Sequence, residues 1–162
     1  ADKASLELDG KPLLEHALDA LSEMSQIVVV GDPVPTSRPV KFTREEPAGT
    51  GPAQGVLAGV QAFDTTPEQV VVLAVDMPRV SPATIRRLML DGGRDGSVLV
   101  DQDGRKQYLC GVYAVARLMK SAADQPRSMK ALLKPLKLAK VAAIGDEAKD
   151  VDTWQDLSDL TT

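Results

Sequence analysis

Asp76 ends the run VVVLAVD, residues 70–76, and a proline follows two places later. Six apolar residues closing on a carboxylate match a buried parallel strand that delivers an acid to the carboxyl edge of its sheet, where open α/β sheets bind ligands. A carboxylate there is a hard oxygen ligand suited to Mg2+, the ion that commonly bridges protein acids to substrate phosphates. It suits equally well a plain strand terminator whose oxygen accepts from a nearby backbone N–H. Spacing alone leaves both readings open.

Other residues offer chemistry of the same kind. GTGPAQG, residues 49–55, sets three glycines and a proline ahead of a helix. Glycines let a backbone approach a ligand closely, and a helix N-terminus favours anions. The spacing is neither that of a P-loop nor that of the dinucleotide fingerprint, and a tight loop needing glycine explains it as well. Lys3 offers a compact charge to phosphates, although surface lysines are common. Arg127, Lys130, Lys134, Lys137 and Lys140 form a basic stretch, the first three spaced to share a helical face. A solvated face is the simpler account of it, and a landing site for an anionic substrate is the sharper one. His16, the single histidine, falls on the polar side of its helix and reads as exposed and idle, so no Ser-His-Asp or Cys-His set is available. Cys110 reads as a small buried strand residue, and Trp154 as packing at the last helix.

These residues need elements to hold them. A short strand, a turn at Asp9-Gly10 and a helix opening at Pro12 begin the chain, with Leu13, Leu14, Ala17, Leu18 and Leu21 as the apolar stripe. Residues 27–30 read as a buried strand, 40–42 as a short one, and a second helix follows the glycine-rich loop to about Phe63. Residues 70–75 read as a fully buried strand, and Ser81-Pro82 caps a helix running to Leu90. Asp103-Gly104 marks a hairpin, helices are expected over 114–123 and 128–134, and residues 136–144 supply one more strand. Thr153 with Asp156 forms a capping box at the last helix. Alternating strands and helices imply right-handed crossovers. The expected fold is one α/β domain over 1–162, with a mostly parallel sheet and an antiparallel excursion in its second half.

Composition narrows the class. The chain has 162 residues, 43% hydrophobic and 26% charged, with a formal net charge of −4 and only 3% aromatics. The core is therefore built from Leu, Val, Ile and Ala, and nothing suggests a nucleic-acid partner. A lone cysteine excludes an internal disulfide and a cysteine-rich zinc site. No apolar run approaches the ~18 residues of a membrane span and no signal peptide is read, so no membrane partner is expected and a cytoplasmic location is.

DKASLELDGKPLLEHALDAL, GPAQG, AVDMPRVSP, LCGVY and DVDTWQDL occur in that order. Together they resemble the MobA-type molybdenum cofactor guanylyltransferases of the nucleotide-diphospho-sugar transferase superfamily. The resemblance spans nearly the whole chain and rests on five motifs in sequence rather than on any one. It implies a three-layer, Rossmann-like nucleotidyltransferase fold. It also implies transfer of GMP from GTP to molybdopterin with release of diphosphate, with Mg2+ as cofactor and transient contact with other cofactor-assembly proteins.

By position, the resemblance assigns Lys3 to the nucleotide phosphates and Asp76 to Mg2+. It sets Gly51, Pro52 and Gly55 beside the guanine. Glu46 is matched more loosely to a nucleotide-contacting acid, across a loop of different length. Asp150 and Asp152 match a pair before the last helix, next to the acceptor, with Asp152 also at the metal. Gly31 stands where some members carry an asparagine, and Trp154 where a proline is common. Family members open with a strand and a loop of the form LAGGxSxRMG. That segment would immediately precede Ala1 and is expected upstream of it. Two alternatives stay open at this point. One is a related nucleotidyltransferase using CTP or another phosphate acceptor, and the other is a non-catalytic nucleotide-binding protein of the same fold.

Overall fold

The computed structural model describes residues 3–152 together with 156, 158 and 160. Lys3–Ser5 forms a single 3-10 turn, followed by a two-residue hairpin, β1 (Glu7–Leu8) and β2 (Lys11–Pro12). Asp9 and Gly10 make its turn, both at positive φ. Helix α1 (Leu13–Ala20) starts directly after Pro12, one residue later than Pro12 itself, and buries Leu13, Leu14, Ala17 and Leu18 as its stripe requires. His16 corrects the sequence reading. Its Nε2 lies 2.8 Å from the Leu8 carbonyl oxygen, so the ring is engaged with the hairpin rather than idle.

Strands β3 (Val28–Val30) and β4 (Lys41–Thr43) pair in parallel, and α2 (Pro52–Gln61) follows. Next come β5 (Gln69–Leu73), α3 (Pro82–Leu90), β6 (Gly96–Val100), β7 (Lys106–Ala114), α4 (Val115–Ala122), α5 (Met129–Leu133) and β8 (Ala139–Ala142). The main sheet has the order β5-β7-β6-β8. β7 runs antiparallel to both β5 and β6, while β8 is parallel to β6. β5, β6 and β8 therefore point one way, and β7 alone is inverted. That single strand is the antiparallel excursion, and it arises because the Asp103-Gly104 turn sends β7 back between two parallel strands.

Alternation along the strands gives each sheet face its own core. Val70 and Tyr113 face α2, α4 and α5, where Leu57, Leu118 and Leu132 are buried. Cys110 and Val112 face the other way, toward Ile85 and Leu88 of α3 and Ala20 of α1. The result is helix, sheet, helix in three layers. Burial pushes the Cys110 thiol up to about 12, so it remains a protonated core group. α3 has the expected cap: the Thr84 N–H donates to Ser81 Oγ, and the Ser81 N–H donates back to Thr84 Oγ1.

Three expectations need revision. β3 and β5 are not enclosed: Val30 is exposed, and in β5 Val70 is buried while Val71, Val72 and Leu73 are only half-buried. Among the described residues β3 pairs only with β4 and β5 only with β7, and both strands line one apolar groove of about 660 Å³. The basic stretch also does not form one helical face. α5 has five residues, Ser128 is its N-cap, and Arg127 lies ahead of it. Pro135 supplies no N–H for a further helical turn. The capping box at Thr153 and the packing of Trp154 lie outside the described residues.

Candidate functional site

Three segments distant in sequence meet at the carboxyl end of β5. The chain leaves β5 through Ala74 and Val75 and presents Asp76. The backbone N–H of Val151 donates to the Asp76 carbonyl at 2.8 Å. Val151 is fully buried against Leu8 and Leu13, with Leu6 and Val75 packed around them. This small cluster ties together the N-terminal turn, the loop after β5 and residues 150–152, and their polar groups are then forced into one place.

The groups collected there are acidic. Asp76, Asp150 and Asp152 each offer a carboxylate oxygen, and these oxygens lie within 4.8 Å of one another. Lys3 Nζ donates to Asp152 Oδ1 at 2.9 Å and to Asp76 Oδ2 at 3.5 Å. Its hydrogen bond to Asp152 raises the Lys3 ammonium above its ordinary value, with the charge of Asp76 adding to the effect. Burial raises the Asp150 carboxyl, and the negative charges of Asp152 and Asp76 raise it further. Asp150 has no ion-pair partner among the described residues. Three converging oxygen ligands from carboxylates fit a hard divalent cation such as Mg2+, which takes one or two protein acids and completes its shell with water and phosphate oxygens.

Two cavities border this corner. The apolar groove between β3 and β5 ends at the glycine-rich loop, where Glu45, Gly49, Gly51, Pro52 and Gly55 line it. Gly51 is the N-cap of α2 at φ 106, a conformation that glycine alone adopts freely, and Pro52 occupies the first helical position. Gly55 and Gly59 let α2 close on β3: a Cβ at Gly59 would stand 3.2 Å from Val30 Cγ2. Glu46 is exposed and lines neither cavity, whereas Glu45 Oε2 lies 3.6 Å from where a Gly55 Cβ would be.

The second cavity, about 370 Å³, has Asp76 and Asp150 on one side and Lys106, Tyr108, Arg127 and Ser128 among its other lining residues. Lys106 and Arg127 form no ion pair with the acids there. Lys130 and Lys134 do not line it. Lys106 and Tyr108 were not legible as site residues, because only the return of β7 between β5 and β6 carries them to Asp76. The sole sequence signal was a charged residue just past a hairpin turn.

Among the described residues, no helix is long and apolar enough to cross a membrane. The profile of the MobA-like NTP transferase domain matches residues 1–141. The probable molybdenum cofactor guanylyltransferase of Mycobacterium bovis is 35% identical over 120 residues, which cover 69% of this chain and 59% of that protein. The chain thus spans well under two thirds of that relative. Among solved structures, the molybdopterin-guanine dinucleotide biosynthesis protein A of Archaeoglobus fulgidus is similar with a TM-score of 0.65 at 19% identity, covering 98% of this chain and 88% of the other. The 2-C-methyl-D-erythritol 4-phosphate cytidylyltransferase of Thermus thermophilus gives a TM-score of 0.71 at 20% identity, covering 96% and 90%. At such identities these structures speak to the shared nucleotidyltransferase fold.

Proposed function

The chain belongs to the MobA-like NTP transferase domain family, and from that premise we propose that this nucleotidyltransferase moves GMP from GTP to molybdopterin. The observation that carries the reading is the convergence of Asp76, Asp150 and Asp152 with Lys3 beside the cavity that Asp76 and Asp150 line. One cavity is apolar and glycine-lined, as a purine needs. The other carries Lys106 and Arg127, which form no ion pair among the described residues, as a phosphate-bearing acceptor needs.

In this reaction an oxygen of the molybdopterin phosphate attacks the α-phosphorus of GTP. A new P–O bond forms, the bond to the bridging oxygen breaks, and diphosphate leaves with the electron pair. The nucleophile is already ionised, so no general base is needed. Catalysis is positioning and charge neutralisation. Asp76 and Asp152, with Asp150 beside them, would hold Mg2+, which when bound neutralises charge on the phosphate oxygens. Gly51 and Gly55 admit the guanine close to the backbone, and Lys3 steadies the phosphates. Lys106 and Arg127 receive the acceptor phosphate across the second cavity.

Calorimetric titration of the full-length protein with GTP, CTP and ATP, with and without Mg2+, tests the nucleotide assignment. GTP-selective, Mg2+-dependent binding supports it. CTP selectivity, the preference named for the Thermus thermophilus neighbour, would replace guanylyl with cytidylyl transfer.

A further inference from the structure

Among the described residues, Lys3 is the only cation paired with Asp76 or Asp152. Its amine bridges the two acids that, with Asp150, offer ligand oxygens to a divalent ion. A Mg2+ ion stands about 2.0–2.1 Å from each oxygen it binds. An ion on Asp76 Oδ2 and Asp152 Oδ1 would therefore fall within a few ångströms of an ammonium seated 3.5 and 2.9 Å from those same atoms. Two like charges so close, competing for the same lone pairs, repel strongly.

The backbone beneath Lys3 is held by the turn, while its side chain reaches the acids from the surface. The Leu6 N–H closes the turn on the Lys3 carbonyl at 3.2 Å, and the Leu13 N–H holds the Leu6 carbonyl at 2.7 Å. The Lys3 side chain is 39% exposed, so its amine can leave by rotation alone, with no rearrangement of the fold.

We propose that Lys3 and the divalent cation are alternative occupants of the acid cluster, and that metal arrival releases the Lys3 amine to the nucleotide phosphates. The exchange deepens the proposed function and rests on it. Without metal, the ammonium offsets part of the mutual repulsion of the three carboxylates. With metal, the ion takes over that role and the freed amine becomes a second cation for the triphosphate. Metal loading and phosphate capture are thereby coupled through one side chain.

The test is calorimetric binding of Mn2+ to full-length wild-type protein and to Lys3→Met and Lys3→Gln variants, without nucleotide, beside Mg2+-dependent GTP binding by the wild type. The exchange predicts Mn2+ affinity at least about tenfold higher in both variants, because a competing like charge has gone. It also predicts that a 15N-lysine NMR signal absent from the variants shifts when Mn2+-free protein receives Mg2+. A merely structural Lys3 would loosen the site and weaken Mn2+. Weaker or unchanged Mn2+ affinity in the variants, with normal Mg2+-dependent GTP binding by the wild type, overturns the exchange alone. Failure of the wild type to bind GTP with Mg2+ overturns the exchange and the guanylyltransferase reading together.

Discussion

The Val151 N–H and the Asp76 carbonyl meet at 2.8 Å, and this backbone hydrogen bond is what sets two acids from the end of the chain beside one from its middle. Val151 is fully buried with Leu8 and Leu13. Val151→Ala should therefore cost about 1–3 kcal/mol of stability through the cavity it leaves. It should also weaken divalent-cation binding while removing no ligand. Urea unfolding and Mn2+ titration of the same variant check both effects. Loss of stability with undiminished Mn2+ affinity would separate the apolar cluster from the site.

Two glycines of the loop before α2 serve different ends. A Cβ at Gly51 meets nothing within 4 Å, but its φ of 106 strains any other residue. Gly51→Ala should cost about 1–2 kcal/mol for backbone reasons. At Gly55 a Cβ would make ordinary contacts at 3.6 and 3.7 Å, so Gly55→Ala should leave thermal stability nearly unchanged. If Gly55 lies beside the base, the same variant should still weaken GTP binding. Undiminished GTP affinity in Gly55→Ala would leave that glycine a helix-packing role only.

Lys106 and Arg127 line the cavity opposite Asp76 and Asp150. Replacing both with Gln should raise the KM for molybdopterin by roughly 10-fold or more, since each charge-assisted hydrogen bond is worth about 1.5–3 kcal/mol. GTP affinity should hold. Lys130→Glu with Lys134→Glu is the control and should change neither. Steady-state kinetics in each substrate decides, and equal losses for GTP and acceptor would contradict the division of the site.

Glu147 predicts acid sensitivity away from the site. Burial pushes its carboxyl up. Hydrogen bonds from Arg87, Thr84 and the Ile144 N–H, together with the Arg87 charge, pull it down further, to about 2 against an ordinary 4.5. A depressed carboxyl stabilises the fold fully above its unfolded value, and that contribution is lost as pH falls from about 4.5 through about 2. With a side chain only 12% exposed, the contribution is on the order of 2 kcal/mol. Arg87→Met should cost about 2–3 kcal/mol at pH 7, and the gap from wild type should narrow below pH 4. Denaturant melts across pH 2–7 test this, and parallel curves would contradict it.

Local chemistry made much of the fold legible. Ser81 and Pro82 set the start of α3, and Asp103-Gly104 set the hairpin that inverts β7. Tertiary relations were harder to read. IVVV and VVVLAV are as apolar as enclosed strands, yet both face a groove, and nothing in a strand's own residues states whether its neighbour is present. His16 looked idle because its partner, the Leu8 carbonyl, comes from a hairpin rather than from its own helix. Asp76 was legible as an acid at a strand end, and the family resemblance pointed to Asp150 and Asp152. Their convergence depends on one backbone hydrogen bond and a buried valine, which no spacing encodes. Lys106 reaches the cavity beside Asp76 only through strand order.

Transfer of label from α-32P-GTP to molybdopterin, by full-length protein with Mg2+, tests the central claim most directly. Labelled molybdopterin guanine dinucleotide should form with one diphosphate released per transfer. Asp76→Asn should fold normally and lose at least about 100-fold in rate, as removal of a metal ligand demands. Label that never leaves GTP, or an Asp76→Asn variant that transfers at the wild-type rate, would contradict the account.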